Sequence, residues 1–359
     1  MRKYYLDNTR YIVVLLVVVY HILLVFNSVG VLANINIPGY PILDLFEYMI
    51  YPWFMVVLFI ISGISARASL EKGRKVGKTY KQFLRRKVKT ILLPSIVCIF
   101  LFGWISGWVT LQYNDIFMGQ GEKIPLLFKY FILSFIGMGP VWFLHQLMVC
   151  FLVLGLVLKL DKGDKVYGIF SKINLWVLLL GFLVLWSFSK VGNLPLIEVY
   201  RNGIYICAFF MGYWIFSQER TEELLCKHSY LFIGLGLLFA GIYIMKNFGE
   251  SYTQAKSLSS LLTNLFAWFG SLGILSLMKK FFFQYTLFTK FMEERSFSYY
   301  ILHYPLICIL AYFLHKYFIF PKWAMYILLL ILTMIFLTLV SYLVRKSYIL
   351  SRVLLGNFK

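Results

Sequence analysis

The sequence predicts an all-α, polytopic membrane protein with about ten transmembrane helices and both termini in the cytoplasm. Of its 359 residues, 61% are hydrophobic and 14% are charged, too few charges to cover the surface of a soluble domain of this size. Apolar runs near 20 residues recur along the chain, the length that a helix needs to cross about 30 Å of hydrocarbon. Basic residues concentrate in alternate loops. No shift in composition divides the chain, which indicates a single integral-membrane domain over residues 1–359.

Ten apolar segments are predicted to cross the membrane, at 11–29, 45–66, 90–110, 141–159, 173–190, 199–217, 229–246, 258–278, 296–315 and 322–344. The stretch 124–138 is apolar but short and carries Lys129, so we expect an interfacial or re-entrant piece there. The first span follows a basic N-terminus, as a signal peptide would. It has no small-residue cleavage site, so we expect it to stay in the mature protein.

The net charge of +20 is distributed as a topology signal. With ten spans, 27 of the 35 Lys and Arg residues fall on the side of the N-terminus. The positive-inside rule then places both termini in the cytoplasm of a multi-pass cell-membrane protein. This distribution argues against nucleic-acid binding, for which basic residues would cluster on one soluble face.

Arg10 and His21 are predicted to share one face of the first span. Eleven residue steps of about 100° make roughly three turns, which puts the two side chains about 16 Å apart along the helix axis. An ionisable group at that depth is costly and commonly marks catalysis or transport. Apolar neighbours such as Val17 and Leu24 favour an uncharged imidazole, which can serve as a general base.

Both residues also have a purely structural interpretation. Arg10 can act as a positive-inside anchor that reaches the lipid headgroups, and Asp7, one turn earlier, can pair with it. His21 can form a hydrogen bond across a helix interface. Their common face, together with the other polar motifs, favours function.

A second group of candidate residues follows the segment FIISG at the end of the second span. Gly63 allows close backbone approach, and Ser62 offers a hydroxyl group. The next loop holds ten basic residues, including Arg85, Arg86 and Lys89. Such a loop can bind anionic lipid or hold a polyanionic cofactor through its arginine forks. Pro94 follows inside the third span, where we expect a kink.

Further polar candidates lie at the ends of other spans. Trp142 and His145 open the fourth span at its predicted outer end, where Trp142 can also be an interfacial anchor. Glu47 lies at the outer end of the second span. His303 lies about two turns into the ninth span beside Pro305, and we consider that it lines the same cavity as His21.

Several classes of site are not indicated. The five cysteines show no paired or metal-type spacing, so we predict neither a disulfide nor a metal site. Walker, dinucleotide-binding, nucleophile-elbow and zincin motifs are missing from the sequence. Asp and Glu lie almost entirely outside the spans, which argues against an ordinary proton-coupled carrier.

Taken in order, these motifs resemble the acyltransferase-3 family of integral membrane acyltransferases. The resemblance rests on Arg10 with His21, FIISG, the basic stretch FLRRKVKTILLP, the WFL that starts at Trp142 and YYILHYPL around His303. It covers nearly the whole chain. The segments YLDNTR and SRVLLGNFK are similar to the glucan biosynthesis protein C-like branch. In many relatives the basic motif is richer in arginine, and here lysines take some of those places.

The resemblance implies an O-acyltransferase that moves an acyl group from cytoplasmic acyl-CoA, most often acetyl-CoA, to a hydroxyl of a cell-surface carbohydrate. Succinyl is the second candidate acyl group, and no permanently bound cofactor is implied. By this resemblance His21 is the catalytic histidine, as base or transient acyl carrier, and Arg10 is its partner. The predicted CoA-contact residues are Arg85, Arg86, Lys89, Ser62 and Gly63, and those of the substrate cavity are His303, Trp142, His145 and Glu47.

Two other functional classes stay open. A transporter of a glycan or lipid-linked oligosaccharide would use His21 and His303 to bind substrate without moving an acyl group. A sensor would bind acyl-CoA or lipid without turnover. The sequence names neither the acceptor sugar nor the oligomeric state, and any later carrier step would need a partner protein.

Overall fold

The computed structural model describes residues 3–193 and 201–357, and within these ranges the chain is all-α without a strand. Eight helices are long and apolar enough to cross a membrane: α1 (Tyr4–Leu24), α2 (Pro41–Lys75), α3 (Tyr80–Tyr113), α5 (Gly139–Leu160), α10 (Ser229–Asn247), α11 (Leu261–Phe281), α12 (Leu287–Tyr317) and α13 (Lys322–Lys346). Shorter apolar helices are α4 (Leu126–Ile136), α7 (Leu175–Phe188) and α8 (Asn202–Phe216). Further short helices include α6 (Lys165–Ile169), α9 (Glu219–Lys227) and α14 (Tyr348–Leu355), and a single α-helical turn lies at Ala255–Leu258.

The predicted polytopic class is confirmed, and the long helices coincide with eight of the ten predicted spans. The predicted spans 173–190 and 199–217 coincide with the shorter helices α7 and α8, and residues 199 and 200 lie outside the described ranges. Helix α4 has 11 residues, about 16 Å, too short to cross the hydrocarbon. The number of crossings and the sides of the termini stay predictions.

Helix α3 contains two π-helical turns, at Val88–Leu92 and Ile99–Gly103. The first ends directly before Leu93 and Pro94. Proline has no N–H to donate and its ring crowds the carbonyl four residues earlier, so the wider π turn accommodates the break. The disturbance that Pro94 predicts therefore takes the form of a π turn, and the helix continues through it.

The chain divides into two compact units. The first unit comprises residues 1–13, 48–86 and 146–293, and the second comprises residues 14–47, 87–145 and 294–359.

Inside the first unit, small residues and buried indole groups hold the helices together. A Cβ at Gly63 on α2 would collide with the carbonyl oxygen of Phe209 on α8, so glycine permits this approach. Helices α10 and α11 approach through Gly236 and Gly273. The buried Trp268 donates from Nε1 to the carbonyl oxygen of Leu178 on α7 at 2.7 Å.

Inside the second unit, glycines and hydroxyl groups hold neighbouring helices together. A Cβ at Gly107 on α3 would collide with the carbonyl oxygen of Leu133 on α4. Ser298 and Ser341 join α12 to α13 through a hydrogen bond of 2.6 Å between their hydroxyls. Because lipid offers no hydrophobic drive between helices, close packing and such polar pairs hold membrane helices together.

Candidate functional site

Helix α1 runs without interruption from Tyr4 to Leu24, so Arg10 and His21 share one helix as predicted. Their spacing places the side chains on one face, about 16 Å apart along the axis. Arg10 belongs to the first unit and His21 to the second. Each residue therefore has its own surroundings.

Arg10 is fixed by two side chains of the first unit. Its Nη1 donates to Oδ1 of Asp7 at 3.1 Å, one turn earlier on α1, and the spacing of the two residues predicts this pairing. Its Nη2 donates to Oγ of Ser65 on α2 at 2.9 Å. A guanidinium group has five N–H donors, so donors remain for a ligand.

Arg10 lines a cavity of about 880 Å³ in the first unit, which we call the arginine cavity. This volume is within the range of small-molecule sites. Four basic side chains line it: Lys3, Arg10, Arg67 and Arg220. Each of them forms an ion pair with a carboxylate. The pairs of Lys3, Arg10 and Arg67 are partly buried, whereas that of Arg220 is exposed.

Arg67 is the most buried of these basic residues, with 8% of its side chain exposed. Its guanidinium lies 3.7 Å from the ring centroid of Tyr167 and pairs with Glu71 on the next turn. Nη1 of Arg67 lies 3.1 Å from Oδ1 of Asp164, and Arg74 donates to Oδ2 of the same carboxylate at 2.6 Å. Stacking and ion pairs therefore hold Arg67 in one orientation at the cavity wall.

The carboxyl of Asp164 lies outside the apolar helices. Partial burial alone would raise its pKa, but the hydrogen bond from Arg74 and the charge of Arg67 outweigh this and lower the pKa below its usual 3.8. Asp164 is therefore ionised at neutral pH and holds the two arginines together.

The predicted CoA-contact residues occupy other positions. Arg85, Arg86 and Lys89 are exposed near the start of α3 and are not among the residues that line the arginine cavity. Ser62 donates to the carbonyl oxygen of Leu58 at 2.7 Å, and Gly63 serves the packing against α8. The serine of α2 that lines the arginine cavity is Ser65, two residues after Gly63.

In the second unit the structure brings His21 and His303 together, and we call them the histidine pair. Nδ1 of His21 lies 3.3 Å from Nε2 of His303, with ring centroids 5.0 Å apart. His303 is completely buried on α12, whereas His21 retains partial exposure. Their sequence separation of 282 residues is bridged by tertiary structure alone.

Aromatic rings enclose His21 on other sides. Tyr20 and Tyr304 make edge contacts with it at centroid distances of 5.1 and 5.2 Å. The hydroxyl of Tyr304 donates to Oδ1 of Asn34 at 2.7 Å, and Nδ2 of Asn34 donates to Thr110 at 2.6 Å. This chain of hydrogen bonds fixes the Tyr304 ring, and the rings in turn restrict the rotation of His21.

The remaining predicted cavity residues also lie in the second unit. Trp142 is half-buried, two residues after Pro140, whose carbonyl accepts from the hydroxyl of Tyr300 on the helix of His303. His145 is half-buried one turn further along α5. Glu47 is fully buried and accepts a hydrogen bond from Nδ2 of Asn27. The structure thus brings His303 against His21, and it positions Trp142 near an anchor of the His303 helix.

Most of the residues that line the arginine cavity cannot be identified from the sequence alone. Arg67 was one of ten basic loop residues, and Tyr167 and Arg220 lay in loops without a motif. A usable signal was present in the case of Arg67, which follows FIISGISA on the same helix and is the first basic residue of the series.

Among the described residues there is neither a metal-binding cluster nor a cysteine pair. Within residues 3–193 and 201–357 no group of three or more His, Cys, Asp and Glu side chains is arranged to hold a metal ion. The five cysteines, all in these ranges, are free thiols.

Comparison with known proteins gives one family and one relative. A family model described as an acyltransferase domain matches residues 3–345. The chain is also similar to glucans biosynthesis protein C of Escherichia coli (strain SMS-3-5 / SECEC), at 30% identity over 192 residues. That match covers 50% of this chain and 46% of the relative, so it spans less than half of the relative's length. No solved structure matches the chain.

Proposed function

This chain belongs to the acyltransferase domain family, and from that premise we propose that it is a membrane O-acyltransferase which uses acyl-CoA as donor and a carbohydrate hydroxyl as acceptor. The observation that carries the proposal is that one helix, α1, supplies an arginine that lines the arginine cavity and a partly buried histidine. In this proposal Arg10 binds the anionic donor, and His21 transfers the proton.

The arginine cavity is the proposed site of the polar part of acyl-CoA. Phosphate groups prefer arginine forks, and Arg10, Arg67 and Arg220 present such forks on one cavity. The volume of about 880 Å³ is large enough for a nucleotide-sized group. The exposed Arg85, Arg86 and Lys89 then attract the polyanion, or anionic lipid headgroups, to the surface.

His21 is the proposed general base. Nε2 of His21 removes the proton of the acceptor hydroxyl while the oxygen attacks the thioester carbon. The C–O bond forms, the C–S bond breaks, and His21 returns the proton to the leaving thiolate. If His21 instead carries the acyl group transiently, the same Nε2 attacks the thioester carbon, and the C–S bond breaks with release of the CoA thiolate. The acceptor hydroxyl then attacks the acyl carbon, the C–N bond to Nε2 breaks, and the hydroxyl proton goes to the thiolate.

The acyl group and acceptor are proposed by class. Acetyl is the donor group we expect, with succinyl second. The name of the E. coli relative, glucans biosynthesis protein C, supports a glucan as the acceptor. We place the enzyme in the cell membrane, in contact with lipid, with no permanently bound cofactor.

The test uses purified protein in nanodiscs, acetyl-CoA labelled in the acetyl group and a mixture of glucan oligosaccharides. We expect label to appear in the oligosaccharides together with an equal amount of free CoA thiol. Succinyl-CoA is the second donor in the same assay. Movement of glucan across vesicles without label transfer would support a carrier, and acyl-CoA binding without turnover would support a sensor; either result would contradict the proposal.

A further inference from the structure

The hydrogen bonds of the histidine pair define where its ring protons lie. Nδ1 of His21 is 2.7 Å from the carbonyl oxygen of Val17. Nδ1 of His303 is 2.7 Å from the carbonyl oxygen of Tyr300 and 3.1 Å from that of Tyr299. A carbonyl oxygen only accepts, so each Nδ1 must carry a hydrogen. In the neutral rings both Nε2 atoms are then without a hydrogen.

The bare Nε2 of His303 faces the N–H of His21. With 3.3 Å between Nε2 of His303 and Nδ1 of His21, the Nδ1–H of His21 is shared between His303 and the carbonyl of Val17. The Nε2 atom of His21 makes no hydrogen bond to the described residues. The arrangement leaves it available to a substrate hydroxyl.

We propose that His303 is a positioning residue for His21, an inference that rests on the proposed role of His21 as the base. When Nε2 of His21 takes a proton, the ring becomes an imidazolium and its Nδ1–H becomes a stronger donor. The lone pair on Nε2 of His303 accepts that stronger hydrogen bond. His303 thereby orients the base and stabilises its protonated form without touching the reacting atoms.

The location of the pair explains why a histidine suits this role. In soluble hydrolases a carboxylate usually orients the catalytic histidine. A carboxylate inside an apolar span is costly to bury, whereas a neutral imidazole supplies an acceptor without a permanent charge. The complete burial of His303 and its hydrogen bonds to its own helix hold that acceptor in place.

Neighbouring groups do not take over the acceptor role. The Tyr304 hydroxyl is occupied by Asn34, and the Tyr20 and Tyr304 rings meet His21 by their edges or faces. The two acceptors of the His21 Nδ1–H are therefore a fixed backbone carbonyl and His303.

The principal test compares H303F and H303Q with wild type in the labelled-acetyl assay. Phenylalanine keeps a ring without an acceptor, and the carboxamide oxygen of glutamine can accept the hydrogen bond near the position of Nε2. We expect H303F to lower kcat about 10- to 100-fold with KM for acetyl-CoA changed less than about 3-fold, and H303Q to recover several-fold of the loss. H315F, an exposed histidine on the same helix, is the matched control and should resemble wild type.

The outcomes separate this inference from the proposed function. Wild-type kcat in H303F, or H303Q no more active than a folded H303F, would overturn the positioning role. If H303F does not yield folded protein, kcat and KM of H303Q are compared with those of wild type. A rise in KM as large as the fall in kcat would contradict the proposal. Activity retained in H21A would overturn the proposed function itself.

A spectroscopic measurement tests the proton positions independently of turnover. Nitrogen-15 NMR of histidine-labelled protein in lipid, with signals assigned through H21A and H303Q, should show both rings as Nδ1–H tautomers at neutral pH. An Nε2–H tautomer for His21 would contradict the inference.

Discussion

In the arginine cavity, four basic side chains face an open space and each is matched by a carboxylate. In the histidine pair, two imidazole rings bond to backbone carbonyls and to each other, and aromatic rings surround them. The first arrangement needs counter-ions and access to water, because a bare charge is costly to bury. The second needs neither, so it can exist in the middle of an apolar span.

The difference indicates a division of labour. A cavity lined by charged side chains is suited to bind an anionic group, so we expect it to determine the affinity for the donor. A pair of rings with one available ring nitrogen is suited to move a proton, and its effect falls on the chemical step. Variants in the two regions should therefore separate KM from kcat.

The largest effect is expected from H21A. Removal of a general base lowers the rate by about 10²- to 10⁴-fold, and we expect this loss in kcat with protein level and thermal unfolding close to wild type. Label transfer from acetyl-CoA measures the loss, with H315F as the control. More than a tenth of wild-type kcat in H21A would remove the histidine pair from the chemistry.

The second effect is expected from R10Q, which removes a charged fork from the cavity. Hydrogen bonds to a charged group contribute about 1.5–3 kcal/mol, so KM for acetyl-CoA should rise roughly 10- to 100-fold while kcat changes little. R10K keeps the charge but not the guanidinium fork, so its KM for acetyl-CoA should lie between those of wild type and R10Q. R345Q, an arginine that pairs with Glu294, is the control. A fall in kcat with unchanged KM would instead assign Arg10 to the chemical step.

A smaller effect is expected from the double variant R85Q/R86Q. Both side chains are exposed, where solvent and salt screen their charges, so KM for acetyl-CoA should rise less than about 3-fold at about 0.15 M salt. The measurement uses the R10Q assay, with lipid composition held constant. A rise larger than that of R10Q would move the donor site to the basic loop, as the sequence predicts.

The smallest effect is expected from D164N and concerns stability. The pKa of Asp164 lies below 3.8, so its ion pairs contribute above that value and are lost as the pH falls through the lowered pKa. We expect wild type to unfold at most about 3 °C above D164N between about pH 5 and 7, with the gap closing below about pH 4. Differential scanning fluorimetry across pH measures it. A gap that widens toward low pH would contradict the ion-pair role.

Helix-level features could be predicted from the sequence because they depend on local periodicity and hydropathy. The spacing of Arg10 and His21 predicts a shared face, and α1 is continuous over both. Hydropathy alone predicts spans at 173–190 and 199–217 that extend beyond α7 and α8. Hydropathy does not show where a helix begins and ends: α7 is capped by Asn174 at its start and ends at Phe188.

Tertiary neighbours could be predicted less well. The sequence associates His303 with His21 because it is a second histidine inside a span and lies beside Pro305, but the hydrogen-bond geometry of the pair requires the folded backbone. In sequence, Arg67 differs from the other arginines of the loop only as the first basic residue after FIISGISA. Its role at the cavity becomes visible through its partners Tyr167 and Asp164 in the structure. A pattern along one helix cannot show which distant loop will cover it.

The π turns at Val88–Leu92 and Ile99–Gly103 have a consequence for the evolution of this helix. Each such turn holds one residue more than an α turn, so loss of a residue there restores an ordinary α turn and leaves the facing of the C-terminal remainder unchanged. Loss of a residue from a regular α-helical stretch would instead rotate that remainder by roughly 100°. A single-residue deletion in either π turn should therefore keep Gly107 in its close contact with the backbone of Leu133, whereas a deletion within the α-helical stretch Leu93–Cys98 should turn it away. The two π turns are therefore the positions in this helix where we expect relatives to differ in length by one residue, and the α-helical stretch between them is where we expect no such difference.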